Sequence, residues 1–244
     1  MKNYKITVQY DGTRYNGWQR QGNTKNTIQE KFENVLSIMC DSQVDIFASG
    51  RTDAGVHALC QVANFKCTTD MTDGEILDYL NNYLPEDIRV LTLEEAPERF
   101  HSRLKAKSKT YEYDIAYTKP DVFSRKYVWH APVRPDVDKM RQAAKWLEGT
   151  HDFRGFSSLG KTKKSTVRTI NSIEITDENG VICIVINGNG FLHNAVRIIA
   201  GTLYEIGIGK LNEDVIYVIF ETQIRENAGA TLPAKGLKLV EVEY

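Results

Sequence analysis

The sequence predicts an α+β protein, and three observations predict it. Two Thr-x-x-Glu signals, at Thr27 and Thr72, each precede an apolar stripe at helical spacing. Short apolar or alternating runs flank both stripes, as strands do. Over the first hundred residues the order is strand, helix, strand, strand, helix, strand, which suggests a ferredoxin-like, split βαβ unit with helices on one face of a mainly antiparallel sheet.

The elements follow in order. Residues 5–10 alternate Ile6 and Val8 with Thr7 and Gln9, a strand, and residues 11–21 form a long polar and aromatic loop. Behind Thr27, the side chains of Ile28, Phe32, Val35, Leu36 and Met39 share one helical face. Residues 44–48 and 62–65 read as strands around a polar loop. After Thr72, Ile76, Leu77, Leu80 and Tyr83 make a second helix that Pro85 cannot continue, and residues 88–93 read as a strand. From Arg103 to Tyr117 the pattern reads as extended, which would set Arg103, Lys105, Lys107, Lys109 and Tyr111 along one face. A short strand near residues 127–130 precedes a helix capped by Asp136 and carrying Val137, Met140, Ala144 and Leu147. Residues 167–176 and 181–187 form a hairpin around Glu178-Asn179-Gly180. A last helix over 213–221, capped by Asn212, leads to a closing strand with Leu237 and Leu239.

A chain of 244 residues fits one large or two modest domains. Its N-terminus has no apolar leader and its longest aliphatic run, residues 181–186, is too short for a bilayer, so no membrane and a cytoplasmic location are expected. Cys40, Cys60, Cys67 and Cys183 lack Cys-x-x-Cys spacing; they read as reduced structural thiols, with no metal. Net charge is −1, which speaks against a nucleic-acid binder, but the charges are segregated. Residues 99–109 carry Arg99, Arg103, Lys105, Lys107 and Lys109 without an acid, and Arg154, Lys161, Lys163, Lys164 and Arg168 form a second basic run. A basic face on a neutral chain suits a phosphate backbone.

The loop from Ser49 to Ala58 holds one carboxylate, one guanidinium and one imidazole between two glycines. Taken alone, Arg51-x-Asp53 reads more readily as a structural ion pair than as catalysis, and Tyr111 as a core tyrosine. Gly188-x-Gly190 lacks the third glycine and the crossover unit of a dinucleotide fingerprint.

Gly50-Arg51-Thr52-Asp53-Ala54-Gly55-Val56-His57-Ala58 resembles the signature of the tRNA pseudouridine synthase A (TruA) family. Further blocks extend the resemblance over most of the chain. They are Tyr10-Asp11-Gly12 with Gly17-Trp18-Gln19-x-Gln21, Phe100-His101-Ser102-Arg103 with Lys109-Thr110-Tyr111-Glu112-Tyr113, Gly149-Thr150-His151-Asp152-Phe153, Gly188-Asn189-Gly190-Phe191-Leu192 with Val196-Arg197, and residues 228–237. Ser102, Ala195 and Leu232 depart from the usual Ala, Met and Ala.

The resemblance implies that Asp53 is the nucleophile, that Tyr111 stacks on the target base opposite Leu237 or Leu239, and that Arg197 pairs with Asp53. Arg51 would fill the space left by a flipped base. Arg14, Trp18 and Gln19 lie in the block that contacts tRNA in the family, joined by Lys105, Lys107, Lys109, Lys161, Lys163, Lys164 and Arg168. The implied substrate is uridine 38, 39 and/or 40 of the tRNA anticodon stem-loop, the implied assembly a homodimer, and no cofactor is called for. The fold expected is two similar halves, 1–105 carrying the Asp53 loop and 106–244 carrying Tyr111 and Arg197, with a basic cleft between. A non-catalytic tRNA-binding module of the same fold is the alternative. A glycoside hydrolase would need a second carboxylate that the Asp53 loop does not offer.

Overall fold

In the computed structural model, which describes residues 1–160 and 163–244, the alternation at the N-terminus forms β1 (Lys2–Tyr10) and buries Tyr4, Ile6, Val8 and Tyr10. Helix α1 (Ile28–Met39) starts where Thr27 Oγ1 accepts the Glu30 N–H at 3.3 Å, and it buries Ile28, Phe32 and Leu36. Strands β2 (Ile46–Ala48) and β3 (His57–Cys67) follow, then α2 (Asp73–Tyr83) and β4 (Ile88–Ala96). At α2 the capping box is complete, Thr72 Oγ1 accepting the Glu75 N–H at 3.3 Å and Glu75 Oε2 accepting the Thr72 N–H at 2.8 Å. All strand pairs here are antiparallel, in the order β4-β1-β3 with β2 on the far edge of β3. Each helix therefore joins two strands with a third inserted between them, the split βαβ arrangement expected.

The chain divides into two units, Met1–Lys107 with Leu239–Tyr244, and Ser108–Lys238. In the second unit, β5 (Ser108–Ala116) pairs in parallel with the short β6 (Trp129–His130). Helix α3 (Val137–Ala144) is capped by Asp136, whose Oδ1 accepts from the N–H groups of Asp138 and Lys139. Strands β7 (Gly149–Asp152), β8 (Val167–Glu178) and β9 (Val181–Gly188) complete the antiparallel order β5-β9-β8-β7. Asn179 and Gly180, at φ 52° and 83°, make the two-residue turn between β8 and β9, as the hairpin signal requires. Helix α4 (Ala195–Gly207) packs on α3 and buries Ile198, Ile199 and Leu203. Helix α5 (Val215–Thr222) begins after Asp214, two residues later than expected, because the Asn212 carbonyl takes the Val215 N–H in a preceding turn. The last strand, β10 (Leu237–Glu243), returns from Leu239 onward to the first unit, where it lies beside β3.

One expectation is corrected. Residues 103–105 are not extended: the N–H groups of Leu104 and Lys105 both turn back to the His101 carbonyl at 3.1 Å, and the strand starts at Ser108. The cause is Ser102, fully buried, whose N–H goes to Asn64 Oδ1 at 2.8 Å and whose hydroxyl donates to the Phe47 carbonyl. Arg103 and Lys105 thus leave the strand row that would have led to Tyr111.

Phe32 fills the first core, fully buried against Trp18 with ring centroids 6.1 Å apart. Phe32→Ala is expected to lower unfolding free energy by about 3–5 kcal/mol, read as a fall in the urea midpoint at unchanged slope.

Candidate active site

Asp53 stands on the loop between β2 and β3, half-buried, in a turn closed by the Val56 N–H on the Asp53 carbonyl at 3.2 Å. Gly55 holds φ 78° in that turn, a value costly for any residue with a Cβ. Both loop ends are fixed. Ser49 donates its hydroxyl to Gln61 Oε1 at 2.7 Å, and Gln61 Nε2 donates to the Gly50 carbonyl at 3.1 Å. Thr52 Oγ1 meets the Tyr10 hydroxyl at 2.8 Å; burial pushes that phenol up to about 12, so it stays protonated.

The loop of residues 11–18 lies against it. The Trp18 N–H donates to the Thr52 carbonyl at 3.0 Å, and the Gly55 N–H donates to the Tyr15 carbonyl at 3.3 Å. A Cβ on Gly12 would fall 1.9 Å from the Val56 carbonyl oxygen, and one on Gly17 would fall 2.6 Å from that of Thr52. His57, buried, takes the Gly12 N–H on Nδ1 at 3.0 Å, and Asp11 Oδ1 lies 3.2 Å from the same nitrogen. Trp18 itself is 2% exposed, between Tyr10 and Phe32, so its indole holds the motif from inside rather than presenting itself to RNA. Gln19 Nε2 donates to Gln29 Oε1 at 2.7 Å, and exposed Arg14 pairs with Asp87 at 2.7 Å. Arg51 is exposed. The sequence reading missed Thr52, Gln61 and Tyr10 as supports; the only signal was a polar group at each, Thr52 in the loop itself and Gln61 and Tyr10 at strand positions.

In the second unit, Tyr111 on β5 is buried and meets the Phe191 ring edge-on, centroids 5.3 Å apart. Arg197, on the first turn of α4, donates Nε to the Leu232 carbonyl at 2.6 Å and Nη1 to Asn194 Oδ1 at 2.9 Å. Asn194 holds φ 62°, a left-handed value that asparagine tolerates, and donates Nδ2 to Ser158 Oγ at 3.0 Å. Leu232 thereby orients Arg197 through its backbone carbonyl. Ala195 is buried and borders a shallow apolar surface crevice together with Phe153, Ile170, Phe191 and Leu192. Leu237 and Leu239 are both buried.

Of the basic residues, Lys105, Lys107, Lys163 and Lys164 are exposed, and Lys109 and Arg168 are half-buried. Lys107 Nζ donates to the Tyr244 carbonyl at 3.0 Å, and Arg168 Nη1 to the carbonyls of Ser165 and Val167. Lys161 lies outside the described residues.

Glu112, Asp114 and Cys183 bring one ligand-type atom each within 4.8 Å of one another, the spacing a metal ion would need. Lys238 already answers the charge there, its Nζ 2.7 Å from Glu112 and 2.8 Å from Asp114. The Cys183 thiol is pushed up to about 12, by burial first and then by the two carboxylates. The arrangement is that of a salt-bridged cluster. Among the described residues no helix is long and apolar enough to cross a membrane.

A family profile described as tRNA pseudouridine synthase matches residues 6–104 and 143–244, leaving out the stretch that carries Tyr111. The chain is similar to tRNA pseudouridine synthase A 2 of Bacillus cereus, 47% identical over 247 positions covering all of both chains. It is likewise similar to tRNA pseudouridine synthase A of a Bacillus species, at 48%, and to tRNA pseudouridine synthase A 1 of Clostridium tetani, at 46%, again over all of both chains. Among solved structures, a chain of a Cbf5-Nop10-Gar1 complex aligns with 97% of this chain and 48% of its own length, at 12% identity and a TM-score of 0.43.

Two outcomes follow from the site's geometry. Gly17→Ala places a Cβ against the Thr52 carbonyl at φ 87°, so it should cost about 2 kcal/mol or more and speed amide exchange over residues 50–56. Cys67, like Cys183, is pushed up to about 12, by burial first and then by Cys40. Raised values keep both thiols protonated until pH climbs towards 12. At pH 8 the folded protein should alkylate at these two positions about a hundredfold or more slower than in urea, with mass spectrometry reading each cysteine.

Proposed function

Because this chain belongs to the tRNA pseudouridine synthase family, we propose that it isomerises uridine to pseudouridine at positions 38, 39 and/or 40 of the tRNA anticodon stem-loop, using Asp53 as nucleophile. The reaction breaks the bond from C1′ to N1, turns the uracil, joins C1′ to C5 and releases the C5 hydrogen as a proton while the freed N1 takes one up, so the product is an isomer of the substrate. Nothing is oxidised and no water is consumed, so the step calls for no metal or organic cofactor. A stacked base cannot turn, so the nucleotide has to leave the helix at a cost of a few kcal/mol.

The observation that carries this reading is the Asp53 loop. The family signature forms a loop running into β3, held by Trp18 on Thr52, by Gln61 on Gly50 and by Gly55 on Tyr15, with Asp53 half-buried on it. A single carboxylate on a rigid support suits a nucleophile that must reach one atom of a base brought to it.

The other roles rest on the resemblance. Tyr111 stacks on the extruded base, which Leu237 or Leu239 bounds. Arg51 enters the vacated space and holds phosphate, and Arg197 stands for the arginine that pairs with the aspartate in the family. The exposed lysines and Arg14 meet the backbone, which suits recognition of tRNA by shape rather than by base edges. The protein works as a homodimer in the cytoplasm.

Tritium release from C5-labelled uridine in whole tRNA tests the reading. The intact protein should release tritium and Asp53→Asn should fall to the uncatalysed level while tRNA affinity stays within a few-fold of the original. If neither protein releases tritium while both bind tRNA with the same salt dependence, the chain is a binding module. Single replacement of uridines 38, 39 and 40 then maps the positions.

A further inference from the structure

The loop between β5 and β6 exposes a large apolar side chain that no part of the proposed reaction uses. Phe123 is 84% exposed and Val122 is 68% exposed, with Tyr127 at 41%. Burial is the ordinary fate of such rings. The loop lies in residues 105–142, which the family profile leaves out.

It is nevertheless an ordered loop. Asp121 Oδ1 accepts the N–H groups of Phe123 at 2.7 Å and Ser124 at 3.1 Å, and Oδ2 takes the Ser124 hydroxyl at 2.5 Å. These bonds, the hydroxyl's first, hold the Asp121 carboxyl below the usual carboxylate range, so it is ionised and engaged within the loop. The Arg125 N–H closes on the Asp121 carbonyl at 3.1 Å, and the Tyr127 N–H on that of Ser124 at 2.8 Å. Arg125 Nε donates to the Val122 carbonyl at 3.1 Å, which keeps its guanidinium beside the residue that precedes Phe123. Lys235 Nζ donates to the Arg125 carbonyl at 3.2 Å and adds its charge from another segment. Lys119, Arg125 and Lys126 are all exposed.

A pre-formed turn that holds an aromatic ring in water among cations has what an unpaired base and its phosphates require. The ring offers a stacking face, the cations neutralise the backbone, and little ordering remains to be done on binding. The one carboxylate of the loop, Asp121, is exposed but already engaged by two N–H groups and a hydroxyl of the loop itself, against three cations from Arg125, Lys126 and Lys235. The charge balance therefore favours a polyanion over an apolar protein surface.

We infer that residues 119–127 form a second RNA contact, in which Phe123 stacks on an unpaired base of the tRNA while Arg125, Lys126 and Lys235 meet neighbouring phosphates. The inference rests on the proposed tRNA substrate and extends it to a surface away from the Asp53 loop in the sequence. Its role is affinity, not chemistry.

Equilibrium binding of whole tRNA to Phe123→Ala, Phe123→Leu and Phe123→Trp, with tritium release measured beside it, tests the assignment. Loss of one stacked base should raise Kd about 5- to 150-fold in the Ala and Leu variants and little in Trp, with kcat at saturating tRNA unchanged. Exchanging Arg125 and Lys126 for Gln should lower the slope of log K against log salt by about 0.7 for each phosphate that is no longer neutralised. A Phe123→Ala protein that binds within about twofold of the original overturns the loop assignment alone, provided the original binds and releases tritium. A Leu variant as good as Trp overturns stacking. A smaller sedimenting species for Phe123→Ala overturns it in favour of contact between copies. An original protein that binds no tRNA overturns this inference and the proposed substrate together.

Discussion

The arrangement around Asp53 depends on the close approach of two backbones, that of residues 11–18 and that of residues 50–56. Gly12 and Gly17 make the approach possible, since a Cβ on either would collide with a carbonyl oxygen of the opposite loop. Trp18 makes it durable. Its N–H takes the Thr52 carbonyl and its carbonyl takes the Gln29 N–H, so one residue ties the Asp53 loop to the start of α1. Its buried ring then couples both to the core through Phe32. A loop is ordinarily the mobile part of a fold. Here it shares the stability of the helix and strands it joins.

The same logic explains why a tryptophan in a motif rich in polar residues is not a surface residue. An indole in contact with Tyr10 and Phe32 gains from burial along its whole length. The polar members of the motif take up the donors and acceptors that this packing would strand. Gln19 and Arg20 both bind Gln29, and Gln29 in turn binds Glu33, which also receives Arg20. The network is local in space and runs along the first two turns of α1.

Legibility in the sequence followed the range of the interactions. Capping at Thr27, Thr72 and Asp136, and the Asn179-Gly180 turn, are settled within four residues, so their signals were readable and the helices and the hairpin stand where those signals put them. The stretch after His101 was misread because its shape is set from far away. Ser102 is held by Asn64 and Phe47, more than thirty-five residues distant, and a turn replaces the strand that alternation alone suggested. Around Asp53 the charged residues were visible, but their supports were not: Thr52 reads as one more polar loop residue, and Gln61 and Tyr10 as ordinary strand residues, until the register of β1 on β3 brings Tyr10 opposite Ala58. The role of Asn194 was equally hidden, since only its left-handed backbone shows why an asparagine precedes α4.

Ser102, Leu232 and Ala195 show how departures from a family pattern divide by physical consequence. Ser102 gains a buried hydroxyl that finds the Phe47 carbonyl, so the change adds a polar group together with its partner. Leu232 contributes to Arg197 through its carbonyl, which any residue supplies, and its side chain is buried beside Gly201. Ala195 lies where Phe191, the neighbour of Tyr111, borders the same apolar crevice. A side chain packed against one aromatic ring helps set the position of the ring that meets it edge-on. Of the three positions, Ala195 is therefore the one through which the sequence of this chain reaches the surroundings of Tyr111.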